Sequence, residues 1–321
     1  MPESTATGAS AGPALPSLNA LHVFEVAARL GSFTRAAAEL RVTQTAVSHQ
    51  IKQLEGELSV LLFQRTGRGL LLTAVGQAWQ AELASIFGRL RDVNRRLRRR
   101  VAGERPVVSL TTLPSFGARW LVPRLGGFLE QHPELDLRIS TSEAVVDFSQ
   151  EPIDVGIRFG KGRYPGLLSE KLFDDYFVVV AAPATAAKLK KTRDLLQQTL
   201  LFDDHEDAWR RLFEALGLGS SERQRYHQLN DSGLVVEAAA RGQGVALARW
   251  SLVQDELRAG RLCRPLPRVA PLAVGNAYYL VGLRETFRRP EIAAFRDWLR
   301  LQASKFAVTP LASAKRELDR L

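Results

Sequence analysis

Gln44, Thr45, Ser48, His49 and Lys52 bring amide, hydroxyl, imidazole and ammonium groups into a span of nine residues. At 100° per residue of helix, Thr45, Ser48, His49 and Lys52 gather on one side, with Gln44 at the exposed first turn. Val47, Ile51, Leu54 and Leu58 recur at i, i+4, i+7 and i+11 on the other side. Side chains of these types and lengths hydrogen-bond base edges and phosphate oxygens, so the chemistry on offer is recognition of a nucleic acid duplex and not bond-making. Any amphipathic helix of an all-helical protein also shows a polar face, so the neighbouring elements decide between the two readings.

Those neighbours form a reading head. Leu21, Phe24 and Ala28 share a face of a first helix that ends near Gly31. Thr34 is the expected N-cap of a short second helix, Arg35 to Leu40, whose Ala36, Ala37 and Ala38 allow close helix approach. After a tight turn at Arg41 and Val42, Thr43 is the N-cap of the third helix. Two short helices about a turn, with the N-terminal part of the second one polar, is the arrangement that enters a major groove. Leu62 to Arg65 and Leu70 to Thr73 then flank Thr66-Gly67-Arg68-Gly69, a hairpin that carries Arg68 at its tip, within reach of a minor groove.

Beyond Thr73, an expected N-cap, Val75, Trp79, Leu83, Ile86, Leu90, Val93 and Leu97 follow a heptad-type spacing. A helix this long has no core of its own to cover that stripe. Its expected partner is a second copy, which pairs two heads, and the alternative is its own chain. The run Arg95, Arg96, Arg98, Arg99 and Arg100 reads as a solvated helix end suited to the macrodipole, and it is not assigned to DNA.

The whole chain fits this picture. Its 321 residues exceed what one core holds, so several domains are expected. A charged fraction of 24% and a hydrophobic one of 45% exclude a disordered or fibrous chain. The net charge of +10 suits a polyanionic partner, and it is concentrated at the N-terminal end: residues 1–105 hold 14 Lys and Arg against 8 Asp and Glu. Cys263 stands alone, which rules out an internal disulfide and fits a reducing cytoplasm. Met1 to Ser17 has neither a basic nor an apolar segment of a secretion signal and reads as a disordered tail. The best apolar run, Phe177 to Ala182, has the length of a strand and not of a membrane span.

Gly103-Glu104-Arg105-Pro106 breaks the long helix and opens a second part. Val107–Thr112 and Leu135–Thr141 read as strands around a helix from Ala118 to Gln131, a βαβ unit. Further strands are expected at Ile153–Arg158, Phe177–Ala182, Leu200–Phe202 and Val245–Ala248, with helices at Asp207–Leu216 and Gly233–Arg241, in mostly parallel sheets. Ligands of such sheets sit beyond the carboxyl ends of the strands. Enzyme signatures are weak. Asp203-Asp204-His205-Glu206-Asp207 could suggest a metal site, but it precedes an apparent helix whose N-terminal dipole favours acids. Gly242-Gln243-Gly244 reads as a helix-ending turn and lacks the third glycine of a dinucleotide fingerprint. No cofactor, metal or catalytic residue is expected.

The stretches Ser32-Phe33-Thr34-Arg35-Ala36-Ala37-Ala38-Glu39-Leu40, Thr43 to Ile51, Leu62-Phe63-Gln64-Arg65 and Leu72-Thr73 resemble those of the LysR-type transcriptional regulators. Ser48-His49-Gln50-Ile51 and Ile157-Arg158-Phe159-Gly160 resemble the branch named for the glycine-cleavage activator. The resemblance implies an all-α winged helix-turn-helix with a long dimerisation helix, followed by an α/β two-lobed effector domain like the periplasmic binding proteins. It also implies a cytoplasmic homodimer or homotetramer that binds double-stranded promoter DNA, responds to a small-molecule effector and contacts RNA polymerase. Carried over by position, Gln44, Thr45, Ser48 and His49 would meet the major groove, Thr34 phosphate, and Arg65 and Arg68 the wing side; Lys52 shares their helix face.

With the two-lobed layout added to the strand-end rule, the effector candidates are Thr112, Pro114, Ser115, Thr141 and Arg158, faced by Phe202 and Val245, and Arg158 would favour an anionic ligand. The expected division is a tail at 1–17, the winged head at 18–75, the helix at 76–102 and the effector domain at 107–305, with a tail at 306–321. Lobe I comprises 107–176 and 282–305, and lobe II 177–281. Two residues depart from the family pattern. Thr45 stands where proline or another small residue is common, and Ser59 stands where glycine is usual. A solute-binding protein with an accessory N-terminal domain is the competing reading, disfavoured by the missing export signal; an enzyme tethered to DNA lacks a nucleophile–base pair.

Overall fold

The computed structural model describes residues 15–66, 69–144, 146–148, 151–203, 207–219 and 224–307. It separates into two compact units that divide within one long helix, near Arg98.

The N-terminal unit is built from α1 (Leu18–Leu30), α2 (Phe33–Leu40), α3 (Gln44–Leu58), a hairpin of β1 (Phe63–Thr66) and β2 (Gly69–Leu72), and the long α4 (Ala74–Val101). Its core collects Phe24, Val26 and Ala27 of α1, Ala36 and Ala37 of α2, Val47, Ile51 and Leu54 of α3, and Leu62 and Phe63. Each large apolar side chain so covered contributes about 1.5–3 kcal/mol, and this burial holds the short helices in place. Thr43 caps α3 as expected, accepting from Ala46 N–H at 3.2 Å. Ser32, not Thr34, caps α2, accepting from Arg35 N–H at 3.3 Å. Phe33 packs edge-on against Phe63, 5.3 Å between centroids, which draws Phe33 into the first helical turn and moves the cap back to Ser32. Both helix ends lacking glycine take left-handed backbone, Arg41 at φ 56° and Ser59 at φ 54°.

α4 divides its apolar residues between two tasks. Leu83 and Phe87 are buried in the unit's own core, and Trp79 stacks near Phe24 at 5.1 Å. Trp79 and Leu83, expected on a stripe facing a second copy, therefore pack on their own chain. Ile86, Leu90, Val93 and Leu97 remain 40–58% exposed along one side. Gly76, at the foot of α4, lies so close to the residue before β1 that a Cβ there would stand 2.2 Å from the Leu62 carbonyl oxygen.

The C-terminal unit carries one continuous eight-stranded sheet among its described residues, in the order β4-β3-β5-β10-β6-β9-β7-β8. β3 (Val107–Thr112), β4 (Asp136–Thr141) and β5 (Val155–Gly160) pair in parallel and form the first lobe's part. β7 (Thr199–Phe202), β8 (Arg225–Gln228) and β9 (Val245–Arg249) do the same in the second lobe. The two long strands β6 (Leu168–Val180) and β10 (Leu272–Gly282) run through both lobes, and every pairing they make is antiparallel. The expectation of a mostly parallel sheet thus holds within each lobe and fails at the junction. The sequence reading began β6 at Phe177 and omitted β10, whose Gly275 sits at φ 79° in the bulge between Ala273 and Ala277 and interrupts the alternation. Ala277–Val281 already pair with Gly160–Gly156 of β5, so the chain returns to the first lobe inside β10 and not at its end.

Around the sheet, α5 (Pro114–Phe116) continues through one π-helical turn, Gly117–Leu121, into α6 (Val122–Gln131). A short α7 (Pro183–Ala186), then α8 (Asp207–Ala215), α9 (Ser232–Ala240) and α10 (Trp250–Arg258), belong to the second lobe, and α11 (Pro290–Ala307) closes the first. Among the described residues no helix is long and apolar enough to cross a membrane.

Candidate nucleic-acid interface and ligand cleft

The polar face of α3 stands clear of the core. Gln44, Thr45, His49 and Lys52 are exposed and Ser48 is half-buried, while Val47, Ile51 and Leu54 beneath them are buried. Thr34 is exposed in the first turn of α2, so losing the capping role leaves its hydroxyl available. Glu55, on the inner side of α3, accepts the backbone N–H groups of Leu62 and Phe63 at 2.8 and 3.0 Å and so ties the reading helix to the hairpin. Thr73 caps α4, accepting from Gly76 N–H at 3.0 Å and donating to the Leu61 carbonyl at 2.8 Å. The hairpin pairs Phe63 to Thr66 with Leu72 to Gly69. Its turn residues Gly67 and Arg68 lie outside the described residues, as does the side chain of Arg65.

In the C-terminal unit a cavity of about 210 Å³ opens between the lobes, lined by Leu113, Ser115, Glu143, Phe159, Asp203, Asn230, Asp231, Ser232 and Arg249. Ser115 is the one effector candidate from the sequence that lines it. Thr112 is fully buried, its hydroxyl without a partner and its methyl beneath Gly117, where Thr141 also packs. Pro114 begins α5. Phe202 and Val245 are buried in the core on the α8 side of the sheet. Phe202 there borders a separate, larger hollow of about 770 Å³ with Trp209, Phe213 and Tyr226.

Arg158 is also displaced from its expected role. Its guanidinium donates to the Thr111 hydroxyl at 3.3 Å and to the carbonyls of Ser142 and Ala144 at 3.4 and 3.3 Å, so it ties the loop after β4 to the sheet. Side chains alternate along a strand. Phe159, one residue on, points to the opposite face and reaches the cleft.

The cleft's cation is Arg249, at the carboxyl end of β9 and 5% exposed. It donates to Tyr278 Oη at 3.1 Å and to Ser232 Oγ at 2.5 Å, and its guanidinium lies 4.5 Å from the centre of the Phe159 ring. Its Nε–H has no acceptor, and it has no ion-pair partner among the described residues. Ser232 passes the contact on by donating to Asp203. Behind Arg249, Ser251 Oγ donates to the buried Asp175 carboxylate at 2.6 Å, and burial pushes the Asp175 carboxyl above its ordinary range. Tyr278, which burial pushes up to about 12, remains a neutral hydroxyl between them. The sequence reading weighed Asp203 only within an acidic run ahead of a helix, and it missed Ser232 and Arg249. Asp203 follows the last residue of β7 and Arg249 ends β9, so the strand-end rule applied to β9's last residue instead of its first would have reached Arg249.

The lobes are bridged beside this cavity. Arg119, in the π-helical turn, donates to the Gly233 carbonyl at 3.1 Å and to Glu256 at 2.9 Å, and lies 3.6 Å from Glu237. Glu256 is held below its ordinary range first by the hydrogen bond from Arg261 and then by Arg119. Asp231 caps α9, accepting from Gly233 and Leu234 N–H groups at 2.8 and 3.1 Å, which fixes Ser232 at the cavity wall.

Comparison with known proteins agrees with both halves. Residues 18–77 match the family model of the bacterial regulatory helix-turn-helix protein, lysR family, and residues 102–304 match that of the LysR substrate binding domain. The glycine cleavage system transcriptional activator of Escherichia coli strain K12 is 44% identical over 293 residues, 90% of this chain and 95% of that protein. The HTH-type transcriptional activator AmpR of Pseudomonas aeruginosa is 40% identical over 89% of this chain and 95% of its own length. The solved effector domain of Pseudomonas aeruginosa AmpR superimposes with a TM-score of 0.55 at 34% identity, covering 63% of this chain and 97% of that domain. With a polar reading helix above a wing at one end and a two-lobed cleft domain at the other, the chain belongs to the LysR family of transcriptional regulators.

Proposed function

We propose that the protein reads promoter DNA through Gln44, Thr45, Ser48 and His49 in the major groove. Thr34 and Lys52 sit on phosphate, and Arg65 and Arg68 of the wing approach the minor groove. The observation that carries this is the α3 face itself, where exposed hydrogen-bonding side chains lie directly over a buried apolar stripe that holds them in register. The exposed row Ile86, Leu90, Val93 and Leu97 supports pairing of two copies through α4 into a homodimer or a homotetramer. A small ligand then shifts DNA binding through its differential affinity for two arrangements of the effector domain, whose lobes divide within β6 and β10. The interlobe cavity at Ser115, Ser232 and Arg249 is its site. The protein works in the cytoplasm as a regulator without catalytic activity and contacts RNA polymerase.

Gel shifts at fixed salt test the reading head. His49→Ala and Ser48→Ala are expected to weaken binding to the target promoter by about 1–3 kcal/mol each while binding to random DNA changes little. Equal losses on both duplexes would make these residues phosphate anchors and not readers of sequence.

A further inference from the structure

We infer that Arg249 is the anchor of the cleft's ligand, and that this ligand is a small monocarboxylate bearing hydrogen-bond donors. The inference rests on the reading of the interlobe cavity as the effector site. It starts from an imbalance. A guanidinium taken out of water needs a counter-charge or a full set of acceptors. Arg158 has acceptors in Thr111 of β3 and in the loop after β4. Arg249 is as deeply buried, yet it has two hydroxyl acceptors, an Nε–H left over, and no ion-pair partner among the described residues. The nearest acids along its bonds are Asp203, one serine hydroxyl away, and the buried Asp175, reached through Tyr278 and Ser251, and neither pairs with the guanidinium directly. Arg249 lines the cavity, so a ligand anion there supplies the direct counter-charge that the fold omits.

The walls narrow the class. Glu143, Asp203 and Asp231 line the same cavity, so a second negative charge, as on a phosphate, meets three carboxylates, while ligand hydroxyl or ammonium groups find acceptors. The cavity of about 210 Å³ suits a small ligand. Leu113 and Phe159 leave one side for a short apolar stem.

The test is thermal unfolding of the full-length protein in lactate, acetate, phosphate or ethanolamine, each against sodium chloride at matched ionic strength. Binding to the folded state raises the midpoint. Lactate is expected to raise it most and acetate less, with phosphate and ethanolamine indistinguishable from chloride. Arg249→Met should abolish the lactate shift while the variant still unfolds in one cooperative transition. Arg249→Lys, which keeps the charge but loses the guanidinium fork, should fold and bind lactate about tenfold more weakly. The anchor is overturned if neither carboxylate shifts the wild type, if phosphate matches lactate, or if the shift survives in Arg249→Met. Gel shifts on the same preparations separate the two readings. Retained DNA binding without a carboxylate response sinks the anchor alone, and absence of any DNA binding by the wild type sinks the regulator reading.

Discussion

In the reading head most of the groups offered to a partner lie on the outside of one helix, α3, whereas in the cleft domain they converge from the ends of β3, β5, β7 and β9 and the start of α9. The difference is one of range. Positions within α3 are set by helical periodicity alone, so Gln44, Thr45, Ser48, His49 and Lys52 share a side whatever else the chain does. In the cleft, Ser115 and Arg249 are 134 positions apart and meet only through the order of an eight-stranded sheet. A local site is a property of a segment; a convergent one is a property of the topology.

The contrast breaks first at α4, where the proposed pairing makes the head depend on a second copy. Leu90 is 40% exposed on a row with Ile86, Val93 and Leu97. Leu90→Asp removes two buried leucines from a symmetric pair, about 3–6 kcal/mol at about 1.5–3 kcal/mol each, before the cost of placing two carboxylates in the seam. Sedimentation should show a shift toward monomer, with DNA affinity falling because paired half-sites can no longer be held together. An unchanged association state would assign the row to the protein's own chain.

Arginine pairs sharpen the comparison within the cleft domain. Arg158 and Arg249 have the same residue type, similar burial and similar positions near strand ends, and only their acceptors differ. Arg158→Met leaves the Thr111 hydroxyl and the carbonyls of Ser142 and Ala144 without that donor, which is expected to cost about 2 kcal/mol of stability. The lactate response should persist. Equal melting temperatures for Arg158→Met and the wild type would remove the distinction between strut and anchor.

These particulars show how far the sequence could be read. The periodic stripes of α1, α3 and α4, the cap at Thr43 and the breaking run before Pro106 were visible because each is decided within a few residues. The cap at Ser32 was not, because it depends on Phe33 meeting Phe63 thirty positions away. Nor was β10, where the bulge at Gly275 hides a strand that joins both lobes. Arg158 was reached because strand ends can be located from hydrophobic runs, but the face on which its side chain emerges depends on register, and Arg249 was passed over at the last residue of β9. Asp203 was visible only as the start of an acidic run, and Ser232, the first residue of α9, carries no local mark.

The smallest expected effect tests the most local feature of all. Ser59 ends α3 at φ 54° with its N–H accepted by the Glu55 and Gly56 carbonyls, the conformation in which a Cβ crowds the following carbonyl and glycine does not. Ser59→Gly is therefore expected to stabilise the N-terminal unit by about 1 kcal/mol, read as a higher unfolding midpoint. Glycine also widens the unfolded ensemble, which opposes the gain, so the sign of the result is informative. The cap lies just before the turn that leads to Leu62 and the wing, and a glycine there keeps both closing hydrogen bonds. DNA affinity should then stay level while stability rises. A gain in stability accompanied by lost affinity would mean that the serine side chain itself contributes to binding, and the local account of the head would have to include its helix ends.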